Sequence, residues 1–271
     1  MPATLLVVGG GKMGSALIGG LLAGGWAPGD IAVAEVAEGR RRELAAEFPA
    51  VTVVDAPHEG LLAAAGDRPV GALLAVKPDA AEGACRVLAT AGVTRLLSIV
   101  AGVPSARLET ALGGQPAVVR AMPNTPALIG AGVTAIAGGS FVTAADLDWA
   151  EGIMAAVGTV VRLPERLIDP VTGLSGSGPA YFFLVVESLM EAGVHMGLSR
   201  EVSRTLVVET MLGSARLLAE TGEEPAALRA MVTSPAGTTA AGVRVLEARA
   251  VRSALMEAVA AATERSRALQ R

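Results

Sequence analysis

The sequence predicts an α/β domain with a parallel sheet in residues 1–163, followed by an all-helical domain in residues 164–271. Short apolar runs, typical of buried parallel strands, alternate with helical patterns in the first part of the chain. From about residue 164 the alternation stops, and long helical segments follow one another. One of them, residues 181–190, is apolar most of the way round, which predicts burial at a homodimer contact.

Seven apolar segments are predicted as strands, in the order TLLVVGG, IAVAEV, VTVVD, GALLAVKP, RLLSIVAG, AVVRAMPN and GVTAIAGG. Helices are predicted over residues 13–22 and 38–48. In the second part, helices are expected from the GSGPAYFF segment onward and over residues 200–220, 225–232 and 240–269. Strands that alternate with helices indicate a parallel sheet covered on both faces.

The composition excludes several classes of protein. Hydrophobic residues make up 52% of the 271 residues and charged residues 18%, with a mean hydropathy of +0.52, which argues against disorder. Lys12 interrupts the apolar start, unlike a signal peptide, and the uncharged run 121–145 contains prolines and glycines, unlike a membrane span. We therefore expect a soluble, cytoplasmic protein. One cysteine, two histidines and a net charge of −4 give no pattern for a metal site or for nucleic-acid binding.

A glycine-rich motif follows the first predicted strand. Gly9, Gly11 and Gly14 stand in the order G-x-G-x-x-G, directly before the first predicted helix, where such glycines let the backbone approach a pyrophosphate. Glu35 lies 21 positions after Gly14, near the spacing of about 20 expected for an acid that binds the cofactor ribose. The motif predicts a Rossmann-type dinucleotide-binding domain. The predicted cofactor-binding residues of this region are Val8, Gly9, Gly10, Gly11, Lys12, Met13, Gly14 and Glu35.

The sequence leaves the choice between NAD and NADP open. Glu35 favours the two ribose hydroxyls of NAD. Arg40, Arg41 and Arg42 could hold the 2′-phosphate of NADP, or they could form a solvated helix face. Lys77 ends the fourth predicted strand, where ligands bind in sheets of this kind. This lysine could be catalytic, could bond the cofactor ribose or could simply reach solvent.

A loop rich in hydroxyl groups precedes the helix predicted over residues 240–269. The segment TSPAGTT, residues 233–239, carries four hydroxyl groups and no charge. These hydroxyls, with backbone N–H groups at a helix start, could hold a small anion. The alternative is a helix cap formed by Ser234 or Thr238, which would explain one hydroxyl only. The earlier segment LSGSGPAYF is interpreted mainly as a tight helix start, with its serines bordering the site.

Five segments together resemble the pyrroline-5-carboxylate reductase family: GGGKMGSAL, AVKP, VRAMPNTP, AVGTVVRLPERLIDPVTGLSGSGPAYFF and VTSPAGTTAAGVRVLE. The resemblance covers nearly the whole chain, in the family's order. It implies reduction of 1-pyrroline-5-carboxylate to L-proline, the last step of proline biosynthesis, by hydride transfer from NADPH or NADH. It also implies a helical dimerisation domain and a homo-oligomer, often a ring of dimers.

The resemblance also implies roles for individual residues. Thr239 matches the catalytic threonine that hydrogen-bonds the ring nitrogen of the substrate. The positions matched to the substrate loop are Ser234, Gly237, Thr238 and Thr239. The positions matched to the cofactor and its cleft are Ala75, Val76, Lys77, Pro78, Ala101, Gly102 and Asn124. The chain departs from the family at Ala236, where many members carry glycine, and at His58, about where many carry a cofactor-contacting asparagine.

Other functions remain as alternatives at this point. A reductase of a related cyclic imine or a β-hydroxy acid dehydrogenase would use a similar fold. The β-hydroxy acid enzyme is expected to carry a catalytic lysine on the long interdomain helix, and residues 176–196 contain none. A non-catalytic dinucleotide-binding regulator would not need the hydroxyl loop. The sequence therefore favours the imine reductase.

Overall fold

The computed structural model describes residues 3–58, 60–62 and 70–270. Within these ranges, no helix combines the length and the apolar character needed to cross a bilayer. The same ranges contain no group of three or more histidine, cysteine, aspartate or glutamate side chains placed to hold a metal ion.

Contacts between residues divide the chain into two compact units. The sheet unit is formed by Met1–Ser177 together with Ala261–Arg271, and the helical unit by Gly178–Ala260. The first division falls later than the boundary predicted near residue 164. The reason is that the residues just after that boundary pack on the sheet, where Ile168 is buried in a small core with strand residues.

Within the described residues, eight strands form one sheet in the order β3-β2-β1-β4-β5-β6-β7-β8. The strands are β1 (Leu5–Val8), β2 (Ile31–Ala34), β3 (Thr52–Val54), β4 (Gly71–Leu74), β5 (Arg95–Ser98), β6 (Ala117–Met122), β7 (Gly132–Gly138) and β8 (Gly158–Arg162). Neighbours pair in parallel except β6 and β7, which run antiparallel. This exception follows from the short turn Thr125–Ile129 between them, because a parallel neighbour needs a longer crossover.

Helices complete both units. Those of the sheet unit are α1 (Lys12–Ala23), α2 (Glu38–Glu47), α3 (Ala81–Thr90), α4 (Ser105–Leu112), α5 (Ala144–Met154) and α6 (Ile168–Val171). A π-helical turn that the sequence analysis did not predict, Thr172–Gly176, follows α6. The remaining helices are α7 (Gly178–His195), α8 (Arg200–Thr221), α9 (Pro225–Met231), α10 (Thr238–Ala248) and α11 (Val251–Ala268).

The last helical segment is broken in two. The sequence analysis predicted one helix over residues 240–269, whereas α10 ends at Ala248 and α11 begins at Val251. Between them Ala250 has a φ of +55°, a left-handed conformation that a continuous right-handed helix does not contain. Glycine usually marks such a stop, and an alanine gives no comparable signal in the sequence.

The sheet is buried on both faces. Successive side chains of a strand point to opposite faces, so Leu5 and Leu6 of β1 enter different cores. Leu5 shares an apolar cluster with Leu17 of α1, and Leu6 shares another with Leu88 of α3. All four side chains are fully buried. The prediction of a sheet covered on both faces is confirmed, and the double burial explains why β1 is apolar at every position.

Trp149 and an ion pair close the edge at which β4 and β5 begin. Trp149 of α5 covers Gly71 so closely that a Cβ atom at Gly71 would lie 2.7 Å from ring atom Cη2. The guanidinium of Arg95 lies 5.4 Å from the centroid of the same ring and forms an ion pair with Asp146. Burial alone would raise the pKa of Asp146, but hydrogen bonds from Thr143 and the charge of Arg95 outweigh it and lower this pKa.

We expect Gly71→Ala to lower the free energy of unfolding by about 1–3 kcal/mol, because the new methyl group would be overpacked against the Trp149 ring. The control is Gly152→Ala on α5. Outside its own helix, no atom of the described residues lies within 4 Å of where a Cβ would stand at Gly152. Alanine there should raise the free energy of unfolding by about 0.5–1 kcal/mol. Urea unfolding measures both, and an unchanged midpoint for Gly71→Ala would contradict the close packing.

Candidate functional site

The turn between β1 and α1 is shaped by its glycines. Gly9 has a φ of +101°, and a Cβ there would lie 2.5 Å from the carbonyl oxygen of Ala75. A Cβ at Gly14 would collide with the carbonyl oxygen of Gly9. Gly11, the N-cap of α1, has extended backbone, and no atom of the described residues lies within 4 Å of its Cβ position. The open space in front of the helix N-terminus allows a phosphate to approach backbone N–H groups.

The Glu35 carboxylate is fixed beside this glycine turn. Glu35 directly follows β2, and its Oε2 accepts a hydrogen bond from the backbone N–H of Gly10 at 2.8 Å. Its Oε1 accepts another from the backbone N–H of Ala37 at 2.9 Å. The side chain therefore ties the carboxyl end of β2 to the glycine turn, where the sequence predicted a ribose-binding acid.

Arg40 supports the same turn. Its Nε donates to the carbonyl oxygen of Gly10 at 2.7 Å, and its Nη2 donates to Oγ of Ser15 at 2.5 Å. Its Nη1 forms an ion pair with Glu43 at 2.7 Å. The guanidinium is thus bonded to the glycine turn and to the first turn of α1.

The other two arginines of α2 have different partners. Nη1 of Arg41 donates to the carbonyl oxygens of Glu35 at 2.9 Å and Val36 at 2.8 Å. Arg42 forms an ion pair with Glu38 on the exposed face of the helix. The interpretation as a solvated helix face therefore fits Arg42, whereas Arg41 is held at the end of β2.

A cavity of about 670 Å³ lies along the carboxyl ends of β1, β2, β3 and β4. The predicted cofactor residues that line it are Val8, Gly9, Gly11, Glu35, Ala75, Val76 and Lys77. The lining residues that were not predicted are Ala34, Val36, Asp55, Ala56, Pro57, Asp79, Ala80, Gly83, Ala84 and Val87. The chain runs from β1 outward to β3 and returns at β4 on the other side of β1, so this is the switch point at which α/β sheets bind ligands.

Among the lining residues missed by the sequence analysis, Asp55 and Asp79 carry a charge. Asp55 lies at a strand end. It directly follows β3, just as Glu35 directly follows β2 and Lys77 lies beyond β4. The rule that ligands bind at the carboxyl ends of parallel strands singled out Lys77 and would also have singled out Asp55.

Three further predicted cofactor residues have identifiable surroundings. Lys12 is exposed and lines a separate depression together with Ser15 and Arg40. Met13 is partly buried and packs against the core. Pro78 begins a short helical turn directly after Lys77. The contact of these three residues with a cofactor stays a prediction.

Ala101, Gly102 and Asn124 follow the next two strands, β5 and β6, at the same edge of the sheet. Gly102 has a φ of +72°, and a Cβ there would lie 3.1 Å from Cβ of Leu269. The side-chain oxygen of Asn124 accepts a hydrogen bond from the backbone N–H of Val133 at 2.9 Å, which ties the end of β6 to β7. The structure gives Gly102 and Asn124 packing roles, and the cofactor contact predicted for all three stays a prediction.

In the helical unit, the hydroxyl loop joins α9 to α10. Gly237 is the N-cap of α10, and its N–H donates to the carbonyl oxygen of Ser234 at 3.0 Å. Among the described residues no side chain caps this helix, so the alternative of a cap by Ser234 or Thr238 does not hold. Oγ1 of Thr233 donates to the carbonyl oxygen of Arg229 at 2.6 Å, which uses that hydroxyl to close the end of α9.

The start of α10 has the features of an anion receptor. Thr238 and Thr239 are the first two residues of the helix, where backbone N–H groups have no partner within the helix. Ala236 has a φ of +61°, a left-handed conformation that costs an alanine roughly 1–2 kcal/mol. Through this strained residue the loop leads into the N-terminus of α10, and the loop carries no charged side chain. The loop thus offers hydroxyl and N–H donors around one helix end.

The SGSG segment is bonded within itself. Oγ of Ser175 donates to the carbonyl oxygen of Val171 at 3.2 Å, and the N–H of Ser177 donates to the carbonyl oxygen of Thr172 at 2.8 Å. These bonds belong to the π-helical turn that leads into α7. They agree with a mainly structural role for this segment.

Two family models match the chain: pyrroline-5-carboxylate reductase dimerisation over residues 165–269, and NADP oxidoreductase, coenzyme F420-dependent, over residues 4–102. A pyrroline-5-carboxylate reductase of Synechocystis sp. is 45% identical over 99% of both chains. A solved pyrroline-5-carboxylate reductase from Coxiella burnetii superposes with a TM-score of 0.90 at 34% identity, over 100% of both chains. The Plasmodium falciparum pyrroline carboxylate reductase, solved with NADP bound, gives 0.85 at 30% identity, over 99% of this chain and 98% of that one. The chain therefore belongs to the pyrroline-5-carboxylate reductase family.

Proposed function

We propose that the protein reduces 1-pyrroline-5-carboxylate to L-proline with NADPH or NADH, the last step of proline biosynthesis, in the cytoplasm. The observation that carries the proposal is that one chain holds both a dinucleotide cavity at a glycine turn and an uncharged hydroxyl loop at a helix N-terminus. Each receptor suits one of the two reactants. Membership of the family supports the same reaction.

The nicotinamide cofactor, when bound, supplies the hydride. In this proposal Gly9 and Gly11 bring the backbone against the pyrophosphate, and the N-terminus of α1 favours its negative charge. The Glu35 carboxylate accepts a hydrogen bond from a ribose hydroxyl. Ala75 and Lys77 line the cavity at the end of β4, on the other side of the glycine turn.

The hydroxyl loop holds the carboxylate of the substrate. Backbone N–H groups at the start of α10 and the hydroxyls of Ser234 and Thr238 donate to its oxygens. Neutral donors satisfy an anion without burying a second full charge. The helix N-terminus adds about 0.3–1 kcal/mol when exposed and up to about 2 kcal/mol when partly buried.

The chemistry needs no general acid from the protein. A cyclic imine can take its proton from solvent before the hydride arrives, and the Thr239 hydroxyl then bonds the ring nitrogen and fixes the ring. The hydride adds to the carbon of the C=N bond, which becomes C5 of L-proline, while the nitrogen keeps its proton and becomes the amine. The contribution of the enzyme is to hold donor and acceptor carbons in reacting geometry.

The helical unit carries the dimer contact in this proposal. On a single chain, large apolar side chains of α7 and α8 are exposed, among them Phe182 at 62%, Phe183 at 66% and Leu206 at 53%. Monomeric proteins rarely leave so much contiguous apolar surface in water. The dimerisation family model covers these helices. We therefore propose a homo-oligomer built from dimers, with small-molecule partners and no nucleic acid.

The central experiment follows the absorbance of the reduced nicotinamide in three reactions: NADH or NADPH with 1-pyrroline-5-carboxylate, NAD or NADP with a β-hydroxy acid, and NADH or NADPH without substrate. Oxidation that depends on 1-pyrroline-5-carboxylate and forms proline is the expected result. If only the hydroxy acid were turned over, the proposal would be wrong and the protein would be a β-hydroxy acid dehydrogenase. Binding of cofactor without any turnover would favour a regulator.

We expect Thr239→Ala to lower kcat by at least about tenfold, because loss of one hydrogen bond of about 1.5 kcal/mol in the transition state has that effect. The Kd for the cofactor should stay at the wild-type value, since Thr239 belongs to the substrate loop. The control is Thr239→Ser, which keeps the hydroxyl and should keep most of the activity. Equal kcat values for the alanine variant and the wild type would show that Thr239 does not bond the ring nitrogen in the transition state.

Gly11→Ala should separate cofactor binding from folding. Gly11 has a φ of −66°, which alanine adopts readily, and its Cβ position is open, so we expect the fold to be kept with a loss of at most about 1–2 kcal/mol, because alanine is a poorer N-cap than glycine. The methyl group would stand where the pyrophosphate approaches, and the Kd for NADH and NADPH should rise by at least about tenfold. Cofactor titration and thermal unfolding measure the two effects. Wild-type affinity in this variant would contradict pyrophosphate binding at the turn.

A further inference from the structure

We propose that this chain selects NADH over NADPH, and that Glu35 and Asp55 set the preference. The inference rests on the proposed function only in that a nicotinamide cofactor binds the cavity at the glycine turn. The Plasmodium falciparum relative was solved with NADP bound. The preference must therefore come from residues of this chain and not from the fold itself.

The Glu35 carboxylate is an acceptor that a ribose 2′-hydroxyl can use and a 2′-phosphate cannot. The N–H donors of Gly10 and Ala37 fix its orientation and leave each oxygen able to accept a further bond. A hydroxyl can donate to such an oxygen. A phosphate monoester carries a charge of about −1.5 to −2 at neutral pH, so a 2′-phosphate would meet repulsion instead.

A second carboxylate lies at the neighbouring strand end. Asp55 directly follows β3, which pairs with β2, and it lines the same cavity as Glu35. Both acids lie on one side of β1 in the strand order. Lys77 and Asp79, which also line the cavity, follow β4 on the opposite side of β1. The side of the cavity that receives the adenosine ribose is therefore acidic.

The arginines of α2 already have partners within the chain. Arg40 is bonded to the glycine turn, and Arg42 pairs with another residue of its own helix. Only Arg41 among the three is held at the end of β2, and its Nη1 already donates to two backbone carbonyl oxygens there. Arg41 keeps its charge, because carbonyl oxygens are neutral, but a 2′-phosphate could use only its remaining N–H donors without breaking these bonds.

The test is a pair of binding titrations on the full-length protein, with NADH and NADPH followed by nicotinamide fluorescence and no substrate present. We expect the Kd for NADH to be at least about tenfold lower than the Kd for NADPH. Equal affinities, or tighter binding of NADPH, would overturn the inference.

Two variants test whether Glu35 and Asp55 set the preference for NADH over NADPH. Glu35→Gln should bring the ratio of the NADPH Kd to the NADH Kd close to one, and Asp55→Asn should also lower it. The ratio compares two ligands on one protein. Damage to the glycine turn would raise both Kd values by a similar factor and would leave their ratio unchanged. The control is Glu151→Gln, which removes one charge on α5, where Glu151 pairs with Arg162 of β8 at the far end of the strand order. Its ratio should equal that of the wild type.

A wild-type ratio in Glu35→Gln would also overturn the inference. Because the titrations need no substrate, they separate this inference from the proposed function. If the protein selects NADH but does not turn over 1-pyrroline-5-carboxylate, the proposed function is wrong and the inference about selectivity is supported. Proline formation by a protein that prefers NADPH would do the reverse.

Discussion

The close approach of the glycine turn to the end of β4 sets the geometry of the nucleotide cavity. The backbone at Gly9 passes so near the carbonyl oxygen of Ala75 that no side chain fits between them. On one side the N–H of Gly9 donates to the carbonyl oxygen of Ala34 at 2.9 Å, and on the other the N–H of Ala75 donates to that of Val8 at 2.8 Å. The turn is therefore pinned to both neighbouring strands before α1 begins, and the cavity is the space that this spacing leaves open.

Parallel pairing separates the parts of the sheet unit that confer stability from the parts that bind. Because β1, β2, β3, β4 and β5 run in one direction, their first residues share one edge and their last residues the opposite edge. The first edge is closed by Trp149 and the Arg95–Asp146 ion pair, which leave no open space at Gly71. The other edge carries the glycine turn, Glu35 and the cavity. A substitution at the first edge can thus change the stability of the fold without changing ligand binding. A substitution at the edge that carries the cavity can change ligand binding without changing stability.

The parts of the structure that were predicted are those that leave a pattern in the sequence. Strands buried on both faces are apolar at every position, and the glycine turn needs glycine at Gly9 and Gly14 for steric reasons. Strand β8 was missed because it is only partly buried and shows no such run. The break at Ala250 and the strained Ala236 were missed because alanine, unlike glycine, does not mark a positive φ in the sequence. At position 236 the glycine that many family members carry was the one available signal. The partners of Arg40 were likewise set by packing.

Both proposed anion receptors are built from a helix that begins without a side-chain cap. The N-caps of α1 and α10 are Gly11 and Gly237, with φ, ψ of −66°, −174° and −76°, 171°, and neither helix has a side-chain cap bond among the described residues. Two other helices do have a side-chain cap: α5 begins with a capping box at Thr143, and α8 begins with a Ser199 cap. The helices α2, α3, α4, α6 and α9 also lack a side-chain cap bond within the described ranges, but their N-caps are not glycine, so the glycine N-cap is the feature that α1 and α10 share. A capping side chain would occupy the N–H groups that a ligand needs, whereas a glycine N-cap costs only a few tenths of a kcal/mol relative to the best caps. In the proposed function the same arrangement would bind two unrelated anions, a pyrophosphate at α1 and a carboxylate at α10, and the residues around each helix end would set the specificity.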